Sequence, residues 1–310
     1  MRILVVGAGA IGGYFGGRLL AAGRDVTFLV RTARAERLAQ AGLVIRSAFG
    51  NANLPAPPTV TQEAIDGTFD LVVLSCKAYD LEAAMHSLAP AVGTNTAILP
   101  LLNGMRHIDI LADRFGGERV LGGLAVISTT LDADGGILHL NDSHLLAFGE
   151  RDGSGSARIK AIASSFSDAG FEARLSAAIV HEMWEKWVFI ASTAGINCLM
   201  RAAIGDIVAA GAADLADALL NECCAIAAAR GFPPAAANVE RMRGVLTAPG
   251  SAFTASMLRD IERGAPIEAD HIIGDLLRRG GGQRSSPLLR IADAHLTSYE
   301  ARMARQRPVA

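Results

Sequence analysis

The stretch ILVVGAGAIGGYFGGRLLAAGRDVTFLVR, residues 3–31, decides the fold. It opens on a β-rich run, passes through Gly7-x-Gly9-x-x-Gly12, continues as a small-residue helix and returns to a second β-rich run at DVTFLV, residues 25–30. A glycine triplet alone is a weak signal. Here the strand, the turn, the helix and the second strand all fall at the spacing of one βαβ unit that holds a dinucleotide. Gly7 permits the tight turn, Gly9 lets the backbone approach a pyrophosphate, and Gly12 lets the helix close on the strand. The helix N-terminus then attracts the phosphates. The loop Gly7, Ala8, Gly9, Ala10, Ile11 and Gly12 is the expected cofactor turn.

The end of the second strand bears on which dinucleotide binds. An NAD site carries an acidic residue there to grip the ribose 2′-hydroxyl. This chain has Val30-Arg31-Thr32 followed by Arg34, with no carboxylate in the run. A guanidinium pairs with a 2′-phosphate, so NADP (NADPH) is expected over NAD. The competing reading is a solvated arginine cluster, weakened because cations are disfavoured near a helix N-terminus. Lys77 follows the run DLVVLSC and Asn103 follows TAILPLL. Both lie where open parallel sheets bind ligands, outside the carboxyl ends of their strands. A loop residue facing water is an equal alternative for each.

Outward from this unit the pattern keeps alternating. Runs at 70–76 and 96–102 read as further strands separated by helices, the signature of a helix-covered parallel sheet. After Gly123, LAVISTTL, GILHLND and HLLAFGE are spaced like antiparallel strands with DADGG as a turn, expected to extend the sheet edge. SARIKAIASSFSDAG reads as a helix and FEARLS as a last strand. From about residue 176 no strand pattern appears, and alanine-rich stretches end at Gly231 or Pro249-Gly250. The expected fold is α/β: a dinucleotide-binding domain over 1–175, followed by an all-helical substrate domain over 176–310.

Composition narrows the function classes. Of the 310 residues, 51% are hydrophobic and 19% charged, which fits a well-buried globular protein rather than disorder. A net charge of −2 leaves no bulk positive field for nucleic acid or an anionic membrane. The four cysteines, Cys76, Cys198, Cys223 and Cys224, lack metal-ligand spacing and read as small core hydrophobes of a reducing compartment. The longest apolar run, Trp187 to Met200, is too short to span a bilayer. A cytoplasmic protein without a membrane or nucleic-acid partner is expected, monomeric or homodimeric.

Chemistry in the helical half centres on WEKWVFIASTAGINCLM, residues 184–200. Trp184, Trp187, Val188 and Ala191 form an apolar stripe at helical spacing, and Ile190 makes the opposite face apolar too. Lys186 therefore either snorkels to the surface or lines a cleft, where desolvation would lower its pKa. A second stretch, SAFTASMLRDIERGAPIEAD, places a helix from about Ala255 to Gly264 and a new one near Pro266. Glu268 in its first turn suits the helix dipole, and Ser256 suits a cap. Physical reading alone leaves these roles open.

Taken in order, VGAGAIGG, SCKAYD, LLNGM, WEKW and SMLRDIERGAPIEAD make the chain resemble the ketopantoate reductase family (2-dehydropantoate 2-reductases) over nearly its whole length. Ser256-Met-Leu-x-Asp260 followed by Glu268 is the most specific match. The resemblance implies a Rossmann domain plus a helical domain, an active site in the cleft between them, and NADPH-dependent reduction of 2-dehydropantoate to pantoate, a step toward pantothenate. It assigns Lys186 as general acid on the carbonyl oxygen and Glu268 as the group that holds the substrate hydroxyl and orients the site beside the cofactor. Ser256 would bind the substrate carboxylate, Arg31 and Lys77 would meet the 2′-phosphate, and Asn103 would lie beside ribose, nicotinamide and substrate. A positioned ammonium suits this chemistry, because hydride arrival builds negative charge on oxygen.

The chain departs from the family pattern at three positions. Family members carry asparagines four and eight residues after the lysine and another in the turn before the next helix. Ile190, Ala194 and Ile204 stand there. Asn197 is eleven residues beyond Lys186, roughly 16 Å along a continuous helix, too far for one small substrate to touch both unless the helix breaks, for instance at Gly195. A more apolar pocket is expected, and with it a different, more apolar 2-oxo acid as the alternative substrate. A β-hydroxyacid dehydrogenase and a non-catalytic NADPH sensor are the competing readings. Arg31 and the Ser256–Glu268 motif argue against the first, and retention of Lys186 with Glu268 against the second.

Overall fold

The computed structural model describes residues 1–281 and 286–306. The chain divides into two compact units, one of Met1–Leu102 with His107–Val180 and one of Asn103–Arg106 with His181–Ala310.

The first unit holds two sheets. Strands β1 (Arg2–Val6), β2 (Asp25–Leu29), β5 (Thr59–Val60), β6 (Leu71–Leu74) and β7 (Ala97–Pro100) form a parallel sheet in the order β5-β2-β1-β6-β7. The order reverses at β1, so the turn after β1 lies at the topological switch point where such sheets take ligands. The short strands are apolar on both faces: Ile3, Leu4, Val5, Leu71, Val72 and Leu74 are all buried. Helices α1 (Ala10–Ala21), α2 (Thr32–Ala41), α3 (Leu81–Leu88), α4 (Arg106–Phe115) and α5 (Ala157–Phe166) connect the strands.

The second sheet contains β3 (Leu43–Arg46), β4 (Ala52–Leu54), β8 (Gly122–Leu131), β9 (Ile137–Gly149) and β10 (Glu172–Leu175). The expected extension of the parallel sheet is corrected here. Among the described residues its edge is touched only at the bridge Ile98–Val120, and the hairpin then pairs within the second sheet instead. GILHLND and HLLAFGE are one strand, β9, paired along β8 across an irregularity between Ile127 and Thr129. The reason lies in α1. A Cβ on Gly16 would come within 2.7 Å of Phe28 and 2.9 Å of Val5, both in the first sheet. A Cβ on Gly13 would come within 2.6 Å of Ile137, and one on Gly17 within 2.8 Å of Ile45, both in the second. Glycines on two faces of one helix let a sheet pack on each, leaving no side-chain volume to separate them.

The second unit carries helices and, among its described residues, no strand: α6 (Ile179–Met200, from His181 onward), α7 (Ile204–Ala209), α8 (Ala213–Ala229), α9 (Ala236–Leu246), α10 (Ser256–Glu262), α11 (Asp275–Arg279) and α12 (Pro287–Gln306). The long α6 is continuous through Gly195, where a Cβ would come within 2.8 Å of Leu219, so the glycine serves packing rather than a break. Trp184, Trp187, Val188 and Ala191 are buried as their spacing predicts. Carboxylates tie the helices together: Glu222 accepts from the Leu288 and Leu289 amides at the start of α12, and Glu185 accepts from Ala235 N and Asn238 Nδ2 at the start of α9. The bonds from Ala235, Leu288 and Leu289 N satisfy helix-end amides that have no intrahelical partner. No described helix is long and apolar enough to cross a membrane.

Candidate active site

The nucleotide end is built by the turn after β1. Gly7 has φ +89°, a conformation glycine adopts without strain, and its amide donates to Leu29 O at 2.9 Å. Gly9 caps α1 with extended backbone and no capping side chain, and a Cβ there would meet no atom within 4 Å. This open approach to bare helix-end amides fits a pyrophosphate. Gly12 is the opposite case: a Cβ would fall 2.2 Å from Ser75 Oγ and 2.4 Å from Gly7 O. Ala8 is buried, and Ala10 and Ile11 begin the helix.

Arg31 follows β2 and Lys77 follows β6, the strands that flank β1. Both candidates therefore end up on the same sheet edge, on either side of the glycine turn. Arg31 is 84% exposed and caps α2 with its backbone. The structure adds a carboxylate that the strand-end sequence does not show: Arg31 Nη2 lies 3.3 Å from Asp80 Oδ1. Asp80 closes the 3₁₀ turn Ala78–Asp80 that Lys77 caps. Arg34 is committed elsewhere, its Nη2 donating to Ala8 O at 2.9 Å and Gly135 O at 3.2 Å. It braces the glycine turn, which leaves Arg31 as the exposed guanidinium of the pair.

The candidate catalytic residues Lys186 and Glu268 lie in the helical unit. Lys186 is half-buried on α6, and burial pushes its ammonium down from 10.5 to about 8, opposed by the charge of Glu268. The lysine is therefore a desolvated group facing a carboxylate, not a snorkelling surface cation. Glu268 is half-buried and directly precedes the helical residues, its carbonyl accepting from Ile272 N at 3.0 Å. The helix expected near Pro266 starts only at Ala269 and opens as a π-helical turn, Asp270–Gly274. Trp187 Nε1 donates to Ile272 O at 2.9 Å and so fastens this turn to α6 one residue from Lys186. Single π turns of this kind occur frequently at functional sites.

Asn103 is half-buried in the short segment that groups with the helical unit. Gly104, at φ +79°, would place a Cβ 3.1 Å from His271 O. His271 hydrogen-bonds the Asn103 main chain, and Arg106 pairs with Asp270. Burial lowers the imidazole pKa, with Glu268 and Asp275 acting against it. Sequence reading missed His271. Its signal was only proximity to Glu268, because its partner lies far away in the chain.

Ser256 is exposed and is the first helical residue of α10, with Ala255 in the cap position, so the capping role is corrected. Of the residues replacing the family asparagines, Ala194 and Ile204 are fully buried and Ile190 is half-buried. Asn197 is a structural clamp, donating to Ala202 O and accepting from Ala255 N. Cys198 and Cys223 are buried, which raises both thiols to about 12 and suits core packing.

Residues 3–153 match the family described as Ketopantoate reductase PanE/ApbA, and residues 178–286 match its C-terminal counterpart. The chain is 39% identical over 303 residues to an uncharacterized oxidoreductase, YkpB, of Bacillus subtilis, covering 97% of this chain and 99% of that one. It is 30% identical to the 2-dehydropantoate 2-reductase of Archaeoglobus fulgidus over 90% of each chain. Among solved structures, 2-dehydropantoate 2-reductase from Methylococcus capsulatus superposes with a TM-score of 0.87 at 29% identity, covering 100% of this chain and 99% of that one.

Proposed function

The chain belongs to the ketopantoate reductase family and is an oxidoreductase of that type, and on that premise we propose that it reduces the carbonyl of a 2-oxo acid with NADPH, with Lys186 as the proton donor. Ketopantoate, reduced to pantoate, is the first substrate to try, because relatives bearing the name 2-dehydropantoate 2-reductase span most of the chain. The observation that carries the reading is the half-buried Lys186 with its pKa pushed down to about 8 opposite Glu268. A general acid works best when its pKa lies near the working pH.

Gly7 to Gly12 would hold the pyrophosphate, and Arg31 with Lys77 the 2′-phosphate. A bound dihydronicotinamide supplies the hydride, two electrons delivered to the carbonyl carbon. Lys186 stabilises the charge that develops on the carbonyl oxygen and gives that oxygen a proton, completing the hydroxyl. Its neutral amine is then reprotonated from solvent. Glu268 holds the ammonium in its charged form and orients the substrate, Ser256 takes the carboxylate, and Asn103 fixes the substrate end beside Glu268. In this reading residues 1–175 are the cofactor domain and 176–310 the substrate domain.

A second reading, a more apolar 2-oxo acid, is favoured by Ile190 at a half-exposed position of the lysine's own helix face. The test follows NADPH absorbance with ketopantoate and other 2-oxo acids, for the wild-type chain and Lys186→Ala. Turnover that the substitution lowers by orders of magnitude, with NADPH affinity retained, is the expected result. Turnover unaffected by the substitution removes the lysine from the mechanism.

A further inference from the structure

On the face of α6 that carries Lys186, the neighbours three and four residues on are Phe189 and Ile190, both half-buried rather than sealed in the core. The Phe189 ring lies 6.1 Å from that of Phe253, tilted by 44°. Phe253 is 39% exposed, and single exposed apolar side chains need no explanation by themselves. The way this one is held does. Its carbonyl accepts from Ile204 N at 3.1 Å and its amide donates to Ser251 Oγ at 3.3 Å. On either side, Gly205 N donates to Ser251 O at 2.7 Å and Ala255 N donates to Asn197 Oδ1 at 2.9 Å. A loop pinned at four points displays an aromatic ring that the fold does not bury. Ser256 follows three residues later, also exposed.

We infer that the aromatic pair Phe253–Phe189, continued by Ile190, is the wall against which the substrate's side chain lies, and that it selects 2-oxo acids bearing an aromatic ring over small or hydroxylated ones. The inference rests on the reductase reading and deepens it. Two rings in a tilted arrangement offer a third ring both a face and an edge, the geometries aromatic side chains prefer. None of these three side chains offers a hydrogen bond, and the Phe253 amide and carbonyl are already used. A substrate hydroxyl directed there loses its water without gaining a partner, which is unfavourable. A rigid support gives the wall its selectivity, since a ring on a loose loop would adapt to any acid.

The test compares kcat/KM with NADPH for phenylglyoxylate and phenylpyruvate against ketopantoate and 2-oxobutanoate, in wild type, Phe253→Asn and Phe253→Leu. Calorimetric titration of the matching 2-hydroxy acids into the NADP-loaded protein gives a second readout. Wild type is expected to favour the aromatic acids by about tenfold or more. Phe253→Asn should lower their kcat/KM about tenfold, mainly through KM, and leave the KM for NADPH unchanged. Phe253→Leu should fall between the two, and circular dichroism should show both variants folded. Preference for ketopantoate, with a substrate ratio untouched by Phe253→Asn, overturns the wall and leaves the reductase reading standing. Phe253-dependent binding of aromatic acids without turnover of any 2-oxo acid keeps the wall and removes the reductase reading. Absence of both overturns both.

Discussion

Replacing Lys186 with methionine separates what the lysine does for the reaction from what it does to the fold. Methionine retains most of the stem volume while removing the charge, so packing changes little. In the wild type, burial pushes the ammonium from 10.5 down to about 8 even with Glu268 opposing. A drop of that size corresponds to ~3 kcal/mol of disfavour for the charged form in the folded state, reduced to roughly 2 by the solvent that reaches a half-buried side chain. The sign follows from proton counting. At pH 7 both folded and unfolded chains hold the proton, so the full cost is present. Between about 8 and 10.5 the unfolded chain keeps a proton that the native lysine has lost, so wild-type stability rises with pH through that window. Lys186→Met should therefore be more stable than wild type at pH 7, by roughly 2 kcal/mol, with the advantage shrinking toward pH 10. Its kcat should fall by about 10²–10⁴, the usual contribution of a positioned acid. Urea melts at pH 7 and 9.5 and NADPH-coupled rates supply both readouts, and wild-type activity should decline as pH rises through about 8. A variant no more stable at pH 7, together with a wild-type rate flat across that range, would refute the desolvated-ammonium account.

Glu268→Gln removes the charge that raises the Lys186 pKa, so the alkaline limb of the pH–rate profile should move below about 8; an unmoved limb would disconnect the pair. Arg31→Ala should raise KM for NADPH far more than for NADH, whereas Asp80→Asn should lower KM for NADPH by freeing Arg31 from its carboxylate partner; equal effects on both cofactors would defeat the 2′-phosphate assignment. Gly12→Ala forces a methyl to within 2.4 Å of the Gly7 carbonyl, so it should abolish dinucleotide binding measured by calorimetry and lower the melting temperature. Trp187→Phe strands the Ile272 carbonyl without its donor, at a cost of about 1–3 kcal/mol in denaturant unfolding, and kcat should fall with it if the π turn sets Glu268.

Much of the architecture is legible in local chemistry. The βαβ unit at residues 3–31, the alternation to about 175 and the helices beyond it follow from periodicity and turn residues, which act over a few positions. The hairpin's true partner was not legible. Gly13, Gly16 and Gly17 look like padding in a small-residue helix, and only packing shows that α1 has a sheet on each side. Glu268 and Ser256 could be singled out by a family motif, but the late start of the helix after Glu268 and the exposed, non-capping Ser256 depend on tertiary bonds.

Local sequence specifies the dinucleotide turn, the division into a sheet-rich and a helical half, and the residue types available for carbonyl reduction. Each of these rests on backbone geometry or side-chain chemistry that neighbours in the chain suffice to specify. Tertiary structure alone decided the electrostatic state of those residues. Asp80 reaches Arg31 across 49 positions, Asn103 meets His271 across the chain, and Lys186 loses solvent before Glu268. Desolvation and pairing depend on which distant segments pack around a charge, and no local pattern encodes that.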